Sequence, residues 1–372
     1  MTEPIEVKLE RIGSELDRRS LDELWLLRPE NFAWLTGGNT VVDAAADTGV
    51  VAIGTDGESL TLVAPNNEVS RILAEELPDV DDAGLDIHTV EFEWYEADVP
   101  EMIRSARDGT LGADVHLDGF EHVDPAPLRT PLPEAELDEF RTAAVETTEA
   151  VEATARALDP ETTEREAAAR MSDELIQRGF AVPVLLVGGS DRGTNRRHFT
   201  PKDDPLDGLA HLTVVSVRDG YNVAVTRTVT FDSPEWLAER HDAASRVAAT
   251  ANVATYEEAQ NGGTAEDVFA AVQDAYAEVG YPDEWRLHHQ GGAIGYESRE
   301  WTSGPDVTED LVSPQPYAWN PTVQGAKSED TIVVDDDLEV VTETGDWPTT
   351  EYEAVGYDRS LELHDAAPAD EL

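Results

Sequence analysis

The order of elements from Glu134 onward constrains the fold most: two long amphipathic helices, then strands, then the same succession again. Apolar residues at helical spacing predict helices over Leu137–Leu158 and Thr163–Arg178, followed by strands at Val182–Val187, Leu212–Val217 and Val223–Phe231. The second pass predicts helices over Pro234–Gln260 and Thr264–Val279, then strands near Arg286–His289, Pro316–Trp319 and Thr331–Val341. The second helix of each pair opens on a capping signature, Thr163-x-x-Glu166 and Thr264-x-x-Asp267. An internal α-α-β-β duplication is implied, whose halves would form a curved sheet backed by helices with a cleft between them.

The first part of the chain has a different rhythm. An amphipathic helix near Glu6–Arg19 precedes short apolar runs at Leu24–Leu27, Val50–Gly54, Leu60–Ala64 and Ile87–Phe92, with a helical stretch at Glu68–Leu77. This reads as a small α/β domain. The prolines between Asp124 and Pro133 mark a linker, so the expected domains are 1–132 and 133–372, an α/β (α+β) architecture overall.

Charge narrows the partners. With 79 acidic and 26 basic residues the formal net charge is −53, which excludes nucleic acid and other polyanions as ligands. Disorder does not follow, because 40% of residues are hydrophobic and they occur in periodic blocks. Such a coat fits a halophilic cytoplasm, where a Debye length of about 3 Å at 1 M salt screens the self-repulsion. Lysine occurs only at positions 8, 202 and 327. No cysteine is present, so disulfides and thiolate chemistry are excluded. The first residues lack a basic and then apolar leader, and no apolar run approaches membrane-spanning length, so a cytoplasmic address with no membrane partner is expected.

The densest functional stretch is His288-His289-Gln290-Gly291-Gly292-Ala293-Ile294-Gly295-Tyr296-Glu297-Ser298-Arg299-Glu300, where polar side chains alternate with glycines that let a backbone approach a ligand. On the strand expected near Arg286–His289, alternation points one of His288 and His289 inward and the other away, so at most one contacts a ligand. His198, within Arg196-Arg197-His198-Phe199-Thr200-Pro201 downstream of a glycine-rich loop, is a second candidate. Among the scarce cations, Arg299 beside Glu300 suits bidentate binding of a carboxylate and Arg192 is a further candidate, whereas Arg227 reads as a structural ion-pair member. The histidines at 88, 116, 122, 211, 241 and 364 show no convergent spacing.

Several motifs in order carry a family resemblance across essentially the whole chain. Glu136-Leu137-Asp138-Glu139-Phe140-Arg141-Thr142-Ala143-Ala144 resembles the opening helix of the creatinase, Xaa-Pro aminopeptidase, prolidase and methionine aminopeptidase superfamily (peptidase M24, "pita-bread" fold). Asn31-Phe32-Ala33-Trp34-Leu35-Thr36-Gly37 is similar to a motif in the N-terminal domain of its two-domain members. Gly220-Tyr221 with Thr226-Arg227-Thr228, and Glu329-Asp330-Thr331, resemble two further signatures. The resemblance implies an N-terminal creatinase/aminopeptidase P-like domain, a pita-bread domain and a homodimer.

It also implies a dinuclear metal site of two Asp, one His and two Glu, and this chain departs from it. Those ligands fall near Thr213 and on Ala224, Gly292 and Asn320, and only Glu329 keeps its carboxylate. No catalytic metal and no other cofactor is therefore expected, since one carboxylate does not hold two hard cations. Creatinase, the metal-free member, uses a histidine as general acid/base, and His198 stands where the family places that residue; imidazole titrates near neutrality and suits the role.

The favoured expectation is a metal-independent hydrolase cleaving a C–N bond of a small carboxylated guanidino, amide or peptide substrate. His198 and Glu329 would be catalytic, with His288, Arg299, Glu300, Arg192, Tyr296 and Asn320 binding substrate. The alternatives are an inactive pseudo-peptidase that binds peptides or proteins, and an Xaa-Pro peptidase with unconventional metal ligands.

Overall fold

The computed structural model describes residues 3–372 and divides into two compact units, Met1–Glu136 and Leu137–Leu372. In the first, the helix Ile5–Arg19 buries Ile5, Leu9, Ile12 and Leu16, a stripe at helical spacing. Six strands form one sheet: β1 (Glu23–Leu26), β2 (Ala52–Thr55), β3 (Leu60–Pro65), β4 (Ile87–Phe92), β5 (Leu111–Ala113) and β6 (Glu121–His122), in the order β4-β3-β2-β1-β5-β6. Its edges pair in parallel while β1, β2 and β3 run antiparallel in the centre. The Asn31–Gly37 motif forms the helix Pro29–Thr36, closed by Gly37 at φ 74°. Asp114 holds its start, accepting from the backbone of Leu27 and Arg28 and from the Asn31 amide.

The helix Glu134–Arg156, all but its first turn in the second unit, is followed there by Glu164–Gln177, and a second pair is Leu237–Asn261 with Ala265–Glu278. Both capping boxes form, from Thr163 with Glu166 and from Thr264 with Asp267. Each box satisfies two otherwise orphaned backbone donors, which is why these helices start where the sequence signals it. The Leu237–Asn261 helix buries a run of small residues, including Ala244, Ala248 and Ala251, that lets it lie close against the sheet.

Strands β7 (Ala181–Gly189), β8 (Leu209–Arg218) and β9 (Tyr221–Thr230) form an antiparallel sheet, extended on the β9 edge by β19 (Ala366–Pro368). A second sheet runs β11-β10-β12-β15-β16, from Trp301–Thr302, Gly291–Ala293, Gln315–Trp319, Asp330–Val334 and Leu338–Val340. Two hairpins complete the set, β13 (Thr322–Val323) with β14 (Ala326–Lys327), and β17 (Thr349–Glu353) with β18 (Ser360–His364). The two larger sheets meet at β9. There the Thr226 N–H donates to the Glu329 carbonyl at 3.1 Å and the Thr331 hydroxyl to the Ala224 carbonyl at 2.7 Å. This seam places Glu329 over β9. The architecture is the mixed α/β pita-bread type, with one helix pair and one sheet from each half.

Two sequence expectations fail locally. No strand covers Arg286–His289: Glu284–Leu287 is a 3-10 turn, and the chain becomes a strand only at Gly291, whose φ of 117° a side chain would resist. Trp285, packed edge-on against Phe269 at 5.6 Å, and the buried Glu284 hold that turn inward. The run Thr331–Val341 is broken into β15 and β16 by the acidic turn Asp335–Asp337. No described helix is long and apolar enough to cross a membrane.

Candidate functional site

Glu329 is the centre of the site and is 2% exposed. The Thr226 hydroxyl donates to its Oε2 at 2.6 Å, and the Thr213 and Thr226 hydroxyls, cross-strand partners on β8 and β9, lie 2.7 Å apart. Lys327 Nζ sits 2.8 Å from Glu329 Oε2, and the Arg299 guanidinium 3.6 Å from Oε1. Lys327 is itself only 5% exposed. Burial acts to raise the Glu329 carboxyl, but Lys327, then Arg299, then hydrogen bonds from Lys327 and Thr226 overcome it and hold the pKa at about 2. Burial pushes the Arg299 guanidinium down from its usual value, opposed by Glu329. Two cations thus face one carboxylate, leaving one net positive charge in the interior of a strongly acidic chain.

The family's dinuclear metal centre does not fit these residues. Its one remaining carboxylate is already paired with two fixed cations, and a divalent ion would have to displace them. On β9 the face that carries Thr226 carries Ala224 two residues earlier, which offers no donor. At Gly292 even a Cβ would lie 2.1 Å from the Trp301 carbonyl oxygen on the neighbouring strand, so no histidine stands there without moving β11. Asn320 supplies a neutral amide whose Oδ1 is buried with no hydrogen-bond partner.

Three histidines form the more solvent-exposed part of the site. His198 Nε2 and His288 Nε2 lie 3.2 Å apart, the His288 and His289 rings stack with centroids 4.3 Å apart, and a ligating nitrogen from each of the three falls within 4.8 Å of the others. Remote contacts bring them together. Arg197 reaches Glu284 at 2.5 Å, tying the His198 loop to the turn before His288, and Phe199 anchors that loop by stacking on His211. Gln290 then fixes the backbone, donating to the His288 carbonyl at 2.6 Å and accepting from the buried Tyr276 hydroxyl at 2.8 Å.

Desolvation first, then Lys327, pushes the His288 pKa down to about 3; desolvation first, then Arg299, takes His289 to about 4. Both rings are neutral at ordinary pH, and the same cations act electrostatically on both parts of the site. Because His288 and His289 lie on irregular backbone, both join His198, against the alternation expected of a strand.

The other sequence candidates separate. Arg192 pairs at 2.5 Å with the buried Glu164, which also accepts from the backbone of Gly189 and Lys202, so its guanidinium secures the β7 end. The Tyr296 hydroxyl meets that of Tyr221 at 3.4 Å, and Glu300 accepts from the Glu297 backbone at 3.1 Å. Arg227 is structural: it is buried, contacts Glu152 and Asp330, and Asp330 also bonds His364. Sequence reasoning missed Lys327, Thr226 and His289. The rarity of lysine and the spacing Lys327-x-Glu329 were the available signals for the first.

A unit of two sheets meeting over a single polar centre and backed by paired helices is a peptidase-type pita-bread domain. The metallopeptidase family M24 model matches residues 138–336, more than half of the chain, and the chain belongs to that family. It is 28% identical over 222 residues to the probable dipeptidase PepE of Mycobacterium tuberculosis (strain H37Rv), a match covering 56% of this chain and 57% of that relative, so a little over half the length of each is aligned. Among solved structures, the prolidase from Pyrococcus horikoshii OT3 superposes with a TM-score of 0.74 at 21% identity, over 91% of this chain and 98% of that one. Dipeptidase PepE from Mycobacterium ulcerans gives 0.70 at 20% identity, over 94% and 97%. These identities speak to the fold.

Proposed function

We propose that this chain is a hydrolase that cleaves a C–N bond of a small carboxylated amide, guanidino compound or short peptide without the dinuclear centre of its family. The observation that carries the reading is the 3.2 Å contact between His198 Nε2 and His288 Nε2. Since His288 is neutral, a proton bound at His198 can be shared with it, and an imidazole so placed can take a proton from water and return it to a leaving nitrogen. Water attacks the carbonyl or guanidinium carbon, His198 receives the water proton, the C–N bond breaks, and the same proton passes to the departing nitrogen. Arg299 and Lys327, with one positive charge in excess of Glu329, attract the substrate carboxylate or the oxyanion that forms. Glu329 acts as the orienting carboxylate, holding both cations in place.

The N-terminal unit is taken as the creatinase/aminopeptidase P-like domain of a homodimer, and the acidic coat as an adaptation to a salt-rich cytoplasm. The test is turnover of dipeptides, N-acyl amino acids and guanidino acids by EDTA-treated protein in concentrated KCl. Activity that survives chelation and disappears in His198→Ala is expected. Activity abolished by EDTA and restored by Mn²⁺ or Co²⁺ would overturn it.

A second reading, an inactive pseudo-peptidase that binds peptides or protein partners, draws on the burial and saturation of Glu329, the only carboxylate left at the family's metal positions. Peptide binding without turnover across the same panel would select it.

A further inference from the structure

We propose that His198, His288 and His289 form a site for a single divalent transition metal of the zinc class, separate from the family's dinuclear position. Among the described residues, one ligating nitrogen from each of these three side chains lies within 4.8 Å of the other two. A tetrahedral ion with Zn–N bonds of about 2.0–2.1 Å holds its nitrogen ligands roughly 3.4 Å apart. The His198 and His288 Nε2 atoms are already 3.2 Å apart, so the first edge of the tetrahedron exists and the third ring has only a short approach to make. Two imidazole Nε2 atoms at that distance either share one proton or chelate one cation.

The chemistry of the donors selects the ion. Three imidazoles and no carboxylate suit zinc, cobalt, nickel or copper and give magnesium and calcium nothing they prefer. The buried carboxylate of Glu329 is committed to Lys327 and Arg299 and is not a ligand. His198 and His289 are solvent-exposed, which provides an entry path and leaves a fourth position open. The excess positive charge of Lys327 and Arg299 over Glu329 opposes a bare cation at the rings and favours one that carries an anion, hydroxide or a carboxylate, in that position.

Chain geometry supports the cluster from outside. The Arg197–Glu284 ion pair and the Gln290 amide fix the two segments that present the rings, so little ordering remains to be done on binding. Binding stands on this geometry alone. Its consequence rests on the function proposed above: an ion takes the lone pairs that His198 and His288 use for proton transfer, and so it inhibits that reaction rather than driving it.

The test is calorimetric titration of Zn²⁺ into the EDTA-stripped full chain in concentrated KCl with excess Mg²⁺, which occupies nonspecific acidic sites, together with Co²⁺ absorption to report tetrahedral coordination. One ion per chain is expected, with a tetrahedral Co²⁺ spectrum. His289→Ala and His289→Gln should each weaken binding by at least the ~10–100-fold that loss of even an outer-shell partner costs. His122→Ala, which removes the ring stacked on His116 in the other unit, should leave it unchanged. Absence of a saturable site, or affinity equal in the His289 variants and the parent, overturns the proposal. Neither readout requires turnover, so failure of the hydrolase reading leaves this result interpretable.

Discussion

Lys327 Nζ and Glu329 Oε2 lie 2.8 Å apart on residues two positions apart in sequence, and both side chains are almost completely buried. Charges so placed cost several kcal/mol each to dehydrate, and their attraction repays this only while both are present. The pair therefore acts as one net-neutral unit whose members keep each other charged in the interior, and the site's excess positive charge is added by Arg299.

Removing one member should be worse than removing both. Lys327→Met leaves Glu329 with only the 3.6 Å contact to Arg299 for charge balance, and a loss of about 3–5 kcal/mol is expected. The double variant Lys327→Met/Glu329→Gln should recover a large part of it. Urea unfolding at fixed KCl measures both, and equal losses in the single and double variants would show that the pair is not coupled.

Arg227 offers a parallel case. Its guanidinium contacts Asp330 at 3.0 Å and Glu152 at 3.5 Å within the interior, and His364 covers the other Asp330 oxygen at 2.7 Å. Arg227→Met removes the guanidinium shared by two buried acids, leaving Asp330 to His364 and Thr342 and Glu152 to Arg156 and Thr344, and should cost about 3 kcal/mol. Arg227→Lys should restore little, because a point charge does not reach both partners and the Thr342 carbonyl at once. Full stability in the lysine variant would argue against a role for the planar fork.

Stability should fall on mild acidification. Desolvation is the leading cause that takes His211, His241 and His289 to about 4 and His288 to about 3. These folded values lie below the unfolded value of about 6.5, so the preference for neutral rings stabilises the fold fully above that pH and is lost as pH drops from there through the folded values. For the fully buried His211 and His241, each unit of pH in that window removes about 1.4 kcal/mol per ring. Melting temperature should decline from about pH 7 to about pH 5, and less steeply in His211→Asn. A flat profile over that range would contradict the assignment.

Glycine substitutions should divide by what a Cβ would meet. Gly292→Ala forces a methyl to within 2.1 Å of the Trp301 carbonyl, an overpacking worth about 1–3 kcal/mol or more of destabilisation. Gly13→Ala, inside the helix Ile5–Arg19 with only the Gly57 Cα at 3.7 Å, should stabilise by about 0.5–1 kcal/mol. Thermal melts of the two variants, run side by side, check the contrast. Equal effects would mean that the seam at Gly292 yields readily.

What could be read from sequence was the part written in local signals. The capping boxes at Thr163 and Thr264 fixed helix starts, and the short apolar runs of β8 and β9 located their strands, because each depends on residues a few positions apart. The histidine cluster depends instead on Arg197 meeting Glu284, 87 residues away, and nothing local selects one acid among 79. Lys327 went unread although its partner Glu329 is two positions away, because the burial that makes the pair part of the site is set by the sheets around it. The strand expected at Arg286–His289 failed because Trp285 and Glu284 turn inward, a tertiary pull that short apolar periodicity does not register. The glycines that follow looked like room for a ligand; they make room for the neighbouring strands.

That last point makes β10 intolerant of side chains at two successive positions. Because β10 has closed on the Trp301 carbonyl at Gly292 and on the Ala318 carbonyl at Gly291, any larger residue meets occupied space at its first side-chain atom. Positive charge for this part of the site comes instead from Lys327, whose ammonium reaches Glu329 from the neighbouring hairpin. The tight strand seam works as a lock: a side chain at either glycine begins by breaking the packing between the strands.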